Sequence, residues 1–139
     1  MASSVYYYRS RELVPVLGGD FRSAIMMQRP PRPAPRPEGS GNATVTTDAP
    51  PAPPPPAEAA IQIVLISDSD GFRAGTNELK YEWGAIGAGI ISQNISLSCA
   101  ATGLKTRPRS SMDKERIKGI LELKETQYVF LNHPVGYAR

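Results

Sequence analysis

The sequence predicts an α+β fold in which an antiparallel sheet packs on one long buried helix. Three stretches carry that expectation. Residues 61–69, IQIVLISDS, form a nearly continuous apolar run of strand length. Residues 81–102 repeat apolar side chains at helical spacing over about six turns. Residues 127–139, QYVFLNHPVGYAR, return to strand character. A chain of 139 residues has length for one domain with a modest core.

The elements follow in order. Tyr-rich VYYY, residues 5–8, favours a strand. ELVPVL, 12–17, is a second, with Pro15 marking it as an edge, and the residues between can turn a hairpin. Gly18 and Gly19 break the pattern, and Asp20 can cap a short helix, FRSAIMMQ. Met26 and Met27 read as core filler. From Arg29 to Ala60 the chain is rich in Pro, Ala, Gly and Ser without apolar period, which predicts an extended or polyproline linker. The domain therefore divides into strands and a short helix (1–28), a linker or insert (29–60) and a main segment (61–139).

Residues 68–71, DSDG, start like a calcium loop but lack its later ligands. In the long helix Trp83, Ile86, Ile90, Ile91, Asn94, Leu97, Ser98 and Ala101 share helical spacing, and Ala85, Ala88, Ile95 and Cys99 make a second strip. A helix apolar nearly all round is expected to be buried on most sides, with Ile63, Leu65, Val129 and Leu131 as sheet partners. Apolar surface is still left uncovered, so the isolated chain is expected not to be a compact monomer. Gly84, Gly87 and Gly89 would allow a close approach of another backbone or a flat ligand, and Gly103 suits the C′ position. Gln93 and Asn94 need hydrogen-bond partners if they are buried. After the extended LKTRPRSS, Asp113 can cap a short amphipathic helix, KERIKGIL.

Composition narrows the chemistry. The single cysteine, Cys99, excludes an internal disulfide framework and a thiolate metal site, and its apolar surroundings suggest a buried structural thiol. His133 is also single and next to Pro134, a poor setting for a metal ligand or a catalytic triad; no metal ligand and no catalytic side chain are assigned. The formal charge is +3, with Lys105, Arg107, Arg109, Lys114, Arg116 and Lys118 gathered around one turn and the next helix. That is a solvated basic face or an anion site; aromatics do not interleave with it, so nucleic acid is not expected. No apolar run is long enough to span a membrane and no secretory signal is visible, so a cytoplasmic location is expected.

Three stretches together, GAGIISQNISLSCAATGL (87–104), TRPRSSMD (106–113) and QYVFLNHPVGYAR (127–139), resemble the C-terminal half of the nitroreductase-like flavoproteins. The branch with azoline-dehydrogenase-type enzymes is the most similar. YYYRSRELVPVLGGDFR (6–22) and IQIVLISD (61–68) are similar to upstream strands of that family. The resemblance implies an α+β fold built as an intertwined homodimer with FMN at the interface. It implies hydride transfer from NAD(P)H through the flavin to a nitro, quinone or azoline-type acceptor. It puts the turn Arg107, Pro108, Arg109 and Ser110 along the flavin ring, with a backbone N–H toward the flavin N5. It puts Arg139 near the FMN phosphate, where a guanidinium fork suits two phosphate oxygens. Gln93 and Asn94 would stand on the helix supporting that turn. The chain departs from the family in lacking an N-terminal Arg-x-Ser-x-Arg phosphate motif, and in having Ser110 and Ser111 where a Gly and a bulky residue are usual. Three readings stand: a truncated or split FMN oxidoreductase completed by a complementary chain, a non-catalytic subunit or interaction module with the Pro-rich linker as a possible ligand, and a self-sufficient homodimeric enzyme.

Overall fold

The computed structural model describes residues 4–9, 12–25, 27 and 59–137. Strands β1 (Ser4–Arg9) and β2 (Glu12–Gly18) pair as the expected antiparallel hairpin. Gly19 follows at φ 127°, a left-handed backbone that glycine adopts without strain. Helix α1 (Arg22–Ile25) is one turn long, shorter than the predicted eight residues. Asp20 takes its expected place: its Oδ1 accepts the Arg22 N–H at 3.1 Å. The Arg22 guanidinium folds back onto the same carboxylate at 2.6–3.1 Å, and this pairing lowers the Asp20 pKa to about 2. Arg22 also donates to the carbonyl of Ala59, at 3.2 Å. Most of the Pro-rich segment, 28–58, lies outside the described residues.

The main sheet has three antiparallel strands in the order β3-β5-β4: β3 (Ile61–Asp68), β5 (Gln127–Tyr137) and β4 (Leu104–Thr106). The last strand in sequence is thus the central one. Among the described residues β3 lies at an edge and is half-buried, which corrects the expectation of a strand covered on both faces: its apolar run pairs with β5 on one side. The carboxylate of Asp68 closes the single 3₁₀ turn after it, accepting from Asp70 N–H at 3.0 Å and from Gln127 Nε2 at 3.1 Å. The sequence that resembled a calcium loop therefore serves as a turn and strand tie. No group of His, Cys, Asp or Glu among the described residues is arranged to hold a metal ion.

Helix α2 (Asn77–Ala101) starts four residues before the predicted boundary because Thr76, whose Oγ1 accepts the Leu79 N–H at 3.4 Å, caps it there. It ends as expected, with Gly103 at φ 72°. Its burial differs from the expectation. Only Gly84, Ala88, Ser92 and Cys99 are buried, a stripe of small residues spaced by about one or two turns. The small stripe lets the helix approach the sheet closely. A Cβ on Gly84 would sit 2.8 Å from Ser67 Oγ and 3.1 Å from the Phe130 ring. Gly87 and Gly89 instead face open space. The large apolar residues Trp83, Ile86, Ile90 and Leu97 lie on the opposite side of the helix, with Ile90 61% exposed, and Ile91 is exposed on the flank beside the small stripe. A single three-stranded sheet can cover only one side of a helix, and the small side is the one it covers.

The other face of the sheet carries the compact core. Met112, Ile117 and Val129 are buried there, with Ile25, Val64, Leu121 and Leu123 packed around them. Ile117 comes from α3 (Lys114–Leu121), capped as predicted by Asp113, whose Oδ1 accepts the Arg116 N–H at 3.0 Å. The Asp113 N–H donates to the Ile25 carbonyl at 3.1 Å and so ties α3 to α1. No helix among the described residues is long and apolar enough to cross a membrane.

Candidate functional site: the turn between β4 and α3

The turn after β4 begins as a strand pair and then loses its partner. Thr106 pairs with Val135, and three residues further along each strand Arg109 bridges Asn132 in the same register. Arg109 and Asn132 exchange both backbone bonds, at 2.9 and 2.8 Å. Between them Arg107 falls opposite Pro134 and Pro108 opposite His133. Because Arg109 and Asn132 exchange both bonds, alternation makes Arg107–Pro134 the next position that would exchange them, and Pro134 has no N–H to give. The ladder therefore opens at that step and closes again at Arg109; Pro108 sits in the intervening pair, which exchanges no bonds.

Side chains then fix both ends of the opened step. His133 is fully buried, with Nδ1 at 3.2 Å from Thr106 Oγ1 and Nε2 at 2.8 Å from Ser92 Oγ. One ring thus spans from α2, through β5, to the last residue of β4. Burial pushes its pKa below the usual 6.5. Neighbouring Asn132, on the strand's other face by alternation, is also fully buried, and neither its amide nitrogen nor its amide oxygen has a hydrogen-bond partner.

The expected site residues divide as follows. Arg107, Pro108 and Ser110 are exposed on the turn, and Arg109 is half-buried beside β5. The Ser110 carbonyl accepts the Met112 N–H at 3.1 Å, which curls the turn toward α3. Arg139 lies outside the described residues. Gln93 and Asn94 do not support the turn: both are exposed. They stand about 100° and 200° around the helix from Ser92, and Ser92 is the α2 residue that meets the sheet. His133, Ser92 and Thr106 are the polar residues sequence reading missed. The spacing of Gly84, Ala88 and Ser92 at one residue per turn was the signal that could have found Ser92.

The turn is thus a rigidly hung, solvent-facing segment with basic side chains at Arg107 and Arg109 and Lys105 exposed just before it. The open apolar side of α2 precedes it in the chain. At the far end of that helix Tyr81 packs edge-on against Tyr128 at 5.1 Å and against Phe130 at 5.0 Å. Asn77, Glu78, Tyr81 and Tyr128 line a shallow open depression there.

The sequence matches the family model of the Nitroreductase family over residues 25–137, and the chain belongs to that family. Its fold is similar to that of a crystal structure of a "putative nitroreductase" from Ralstonia eutropha JMP134, with a TM-score of 0.52 at 22% identity. The similarity covers 56% of this chain and 37% of that one, so the chain spans well under half the length of that relative. No curated protein matches the sequence.

Proposed function

We propose that the chain is a nitroreductase-like oxidoreductase component that uses FMN and NAD(P)H, and that it supplies one wall of a flavin site completed by a second protein surface. The carrying observation is the turn 107–110, held at Thr106 and Arg109 but exposed between them, beside a helix whose large apolar side is uncovered. Those features suit a flat, largely apolar ring with an anionic tail. The exposed backbone of the turn offers polar groups to a ring edge. Arg107 and Arg109 provide positive charge, and Arg139 is the expected phosphate partner. When bound, FMN would accept hydride from NAD(P)H and deliver electrons to a nitro, quinone or azoline-type acceptor. The chain's own part is to bind and orient the ring and keep water from it. No side chain of the site is assigned a proton-transfer step.

Family membership and the uncovered side of α2 support an assembly, either a second copy or a complementary chain. The sequence departures at Ser110 and Ser111 support a second reading, a non-catalytic subunit of the same fold. An absorbance spectrum of the full chain after incubation with FMN and desalting separates the two. Flavin bands that survive desalting, and that weaken in Arg139→Ala, are expected of the first. A protein that assembles with itself through α2 and stays colourless excludes a homodimeric flavin site and favours the second.

A further inference from the structure

The ring of His133 does more than fill a buried space. The line Thr106–His133–Ser92 crosses three elements and, among the described residues, is the side-chain hydrogen-bonded link between α2 and β4. It lies beside the one step at which the β4–β5 ladder has no backbone support. We propose that His133 is the positioning residue of the turn Arg107–Ser110, holding it to α2 through two hydroxyls whose directions a single proton resets. This inference concerns the turn itself; its meaning for flavin binding rests on the reading above.

The proton bookkeeping is simple. In neutral imidazole one ring nitrogen donates and the other accepts. Either Nδ1–H donates to Thr106 while the Ser92 hydroxyl donates to Nε2, or both directions are reversed. Adding a proton makes both nitrogens donors. Both hydroxyls must then accept, and the one that had donated must turn its hydrogen elsewhere, for a helical serine to a carbonyl of the preceding turn. If Thr106 is that hydroxyl, the change falls on the residue from which the turn hangs.

The surroundings leave this exchange to the two hydroxyls. From α2 the same face presents Ser92 and Cys99, and from β3 the facing residue is Ile63. β4 and the turn carry Lys105, Arg107 and Arg109, and β5 itself carries Tyr128 and Tyr137. Asp68 is at the far end of β3. Lys114, Glu115, Arg116 and Lys118 belong to α3, across the sheet. None of these charges acts on the ring; burial alone sets the direction of its titration.

His133 is the only histidine, so its ring can be followed without assignment ambiguity in the full ¹⁵N-labelled chain. The expected result is an imidazole midpoint below 6.5, with the amide signals of Arg107, Arg109 and Ser110 titrating at the same midpoint. In Thr106→Val the ring still titrates but the turn no longer follows it, and Thr106→Ser restores the coupling. Turn amides that stay flat through the His133 midpoint in the unaltered chain, or that keep following it in Thr106→Val, would overturn the proposal. The first of these needs no variant to fold. Where the chain retains FMN, Thr106→Val weakens retention by roughly two- to tenfold, one hydrogen bond's worth, and Thr106→Ser does not. A chain that retains no flavin by itself excludes a flavin site built from copies of this chain alone and leaves the amide titration to decide this inference.

Discussion

At the residue scale, the molecule depends on small side chains where a reader looks for large ones. Gly84 touches Ser67 and Phe130 through the space a Cβ would occupy, so Gly84→Val is expected to lower stability by roughly 1–3 kcal/mol through overpacking. Gly119 on α3 has open space around it, and Gly119→Ala should raise stability by up to about 1 kcal/mol through helix propensity. Thermal denaturation of the two variants should give shifts of opposite sign. His133 sets a pH dependence whose sign follows from its burial. The unfolded chain takes a proton near 6.5, while the folded chain resists it. Stability is therefore full above about 6.5 and falls as pH drops from there toward the folded pKa. Denaturant titrations at pH 7.5 and 5.5 would show it, and His133→Gln should flatten the difference.

At the element scale, most of the fold was legible in the sequence. The hairpin, the long helix, the Asp20 and Asp113 caps, the Gly103 stop and the terminal strand all follow from local chemistry, which acts within a few residues. What was not legible is which face of α2 meets the sheet. Large apolar residues announce burial, yet here Ile86, Ile90 and Ile91 are exposed, and Ala88, Ser92 and Cys99 are inside. That choice is set by how near the backbone can come to β5, a tertiary quantity that periodicity does not carry. The candidate site was legible in part. The basic, proline-containing turn was legible from its composition, while the choice of Arg107, Pro108, Arg109 and Ser110 as site residues came from the family resemblance. The suspension of that turn from His133 was hidden, because it depends on residues far apart in the chain brought into register by the sheet. The α3 terminus adds a local test. Glu122 holds φ 50°, a left-handed backbone that a side chain disfavours, so Glu122→Gly should stabilise α3 by about 1 kcal/mol.

At the scale of the whole molecule, the uncovered side of α2 governs behaviour in solution. Trp83, Ile86, Ile90 and Leu97 form an apolar band on one side of the helix, and burying each large side chain is worth roughly 1.5–3 kcal/mol. Sedimentation at micromolar concentration is expected to show an assembly, and Ile90→Asp to shift it toward the monomer. A well-folded monomer of the unaltered chain would remove the assembly from the proposed function and leave α2 with bare apolar surface.

The bond from Arg22 to the carbonyl of Ala59 has a further consequence. It ties α1, a few residues before the Pro-rich stretch, to the residue two places before β3, and so closes a loop between them like a strap held by one stitch. The free energy of closing such a strap changes by only about 0.6 kcal/mol for each doubling of its length. The domain is therefore nearly indifferent to what is spliced in there, and replacing residues 30–57 by a short Gly-Ser bridge should leave the melting temperature almost unmoved.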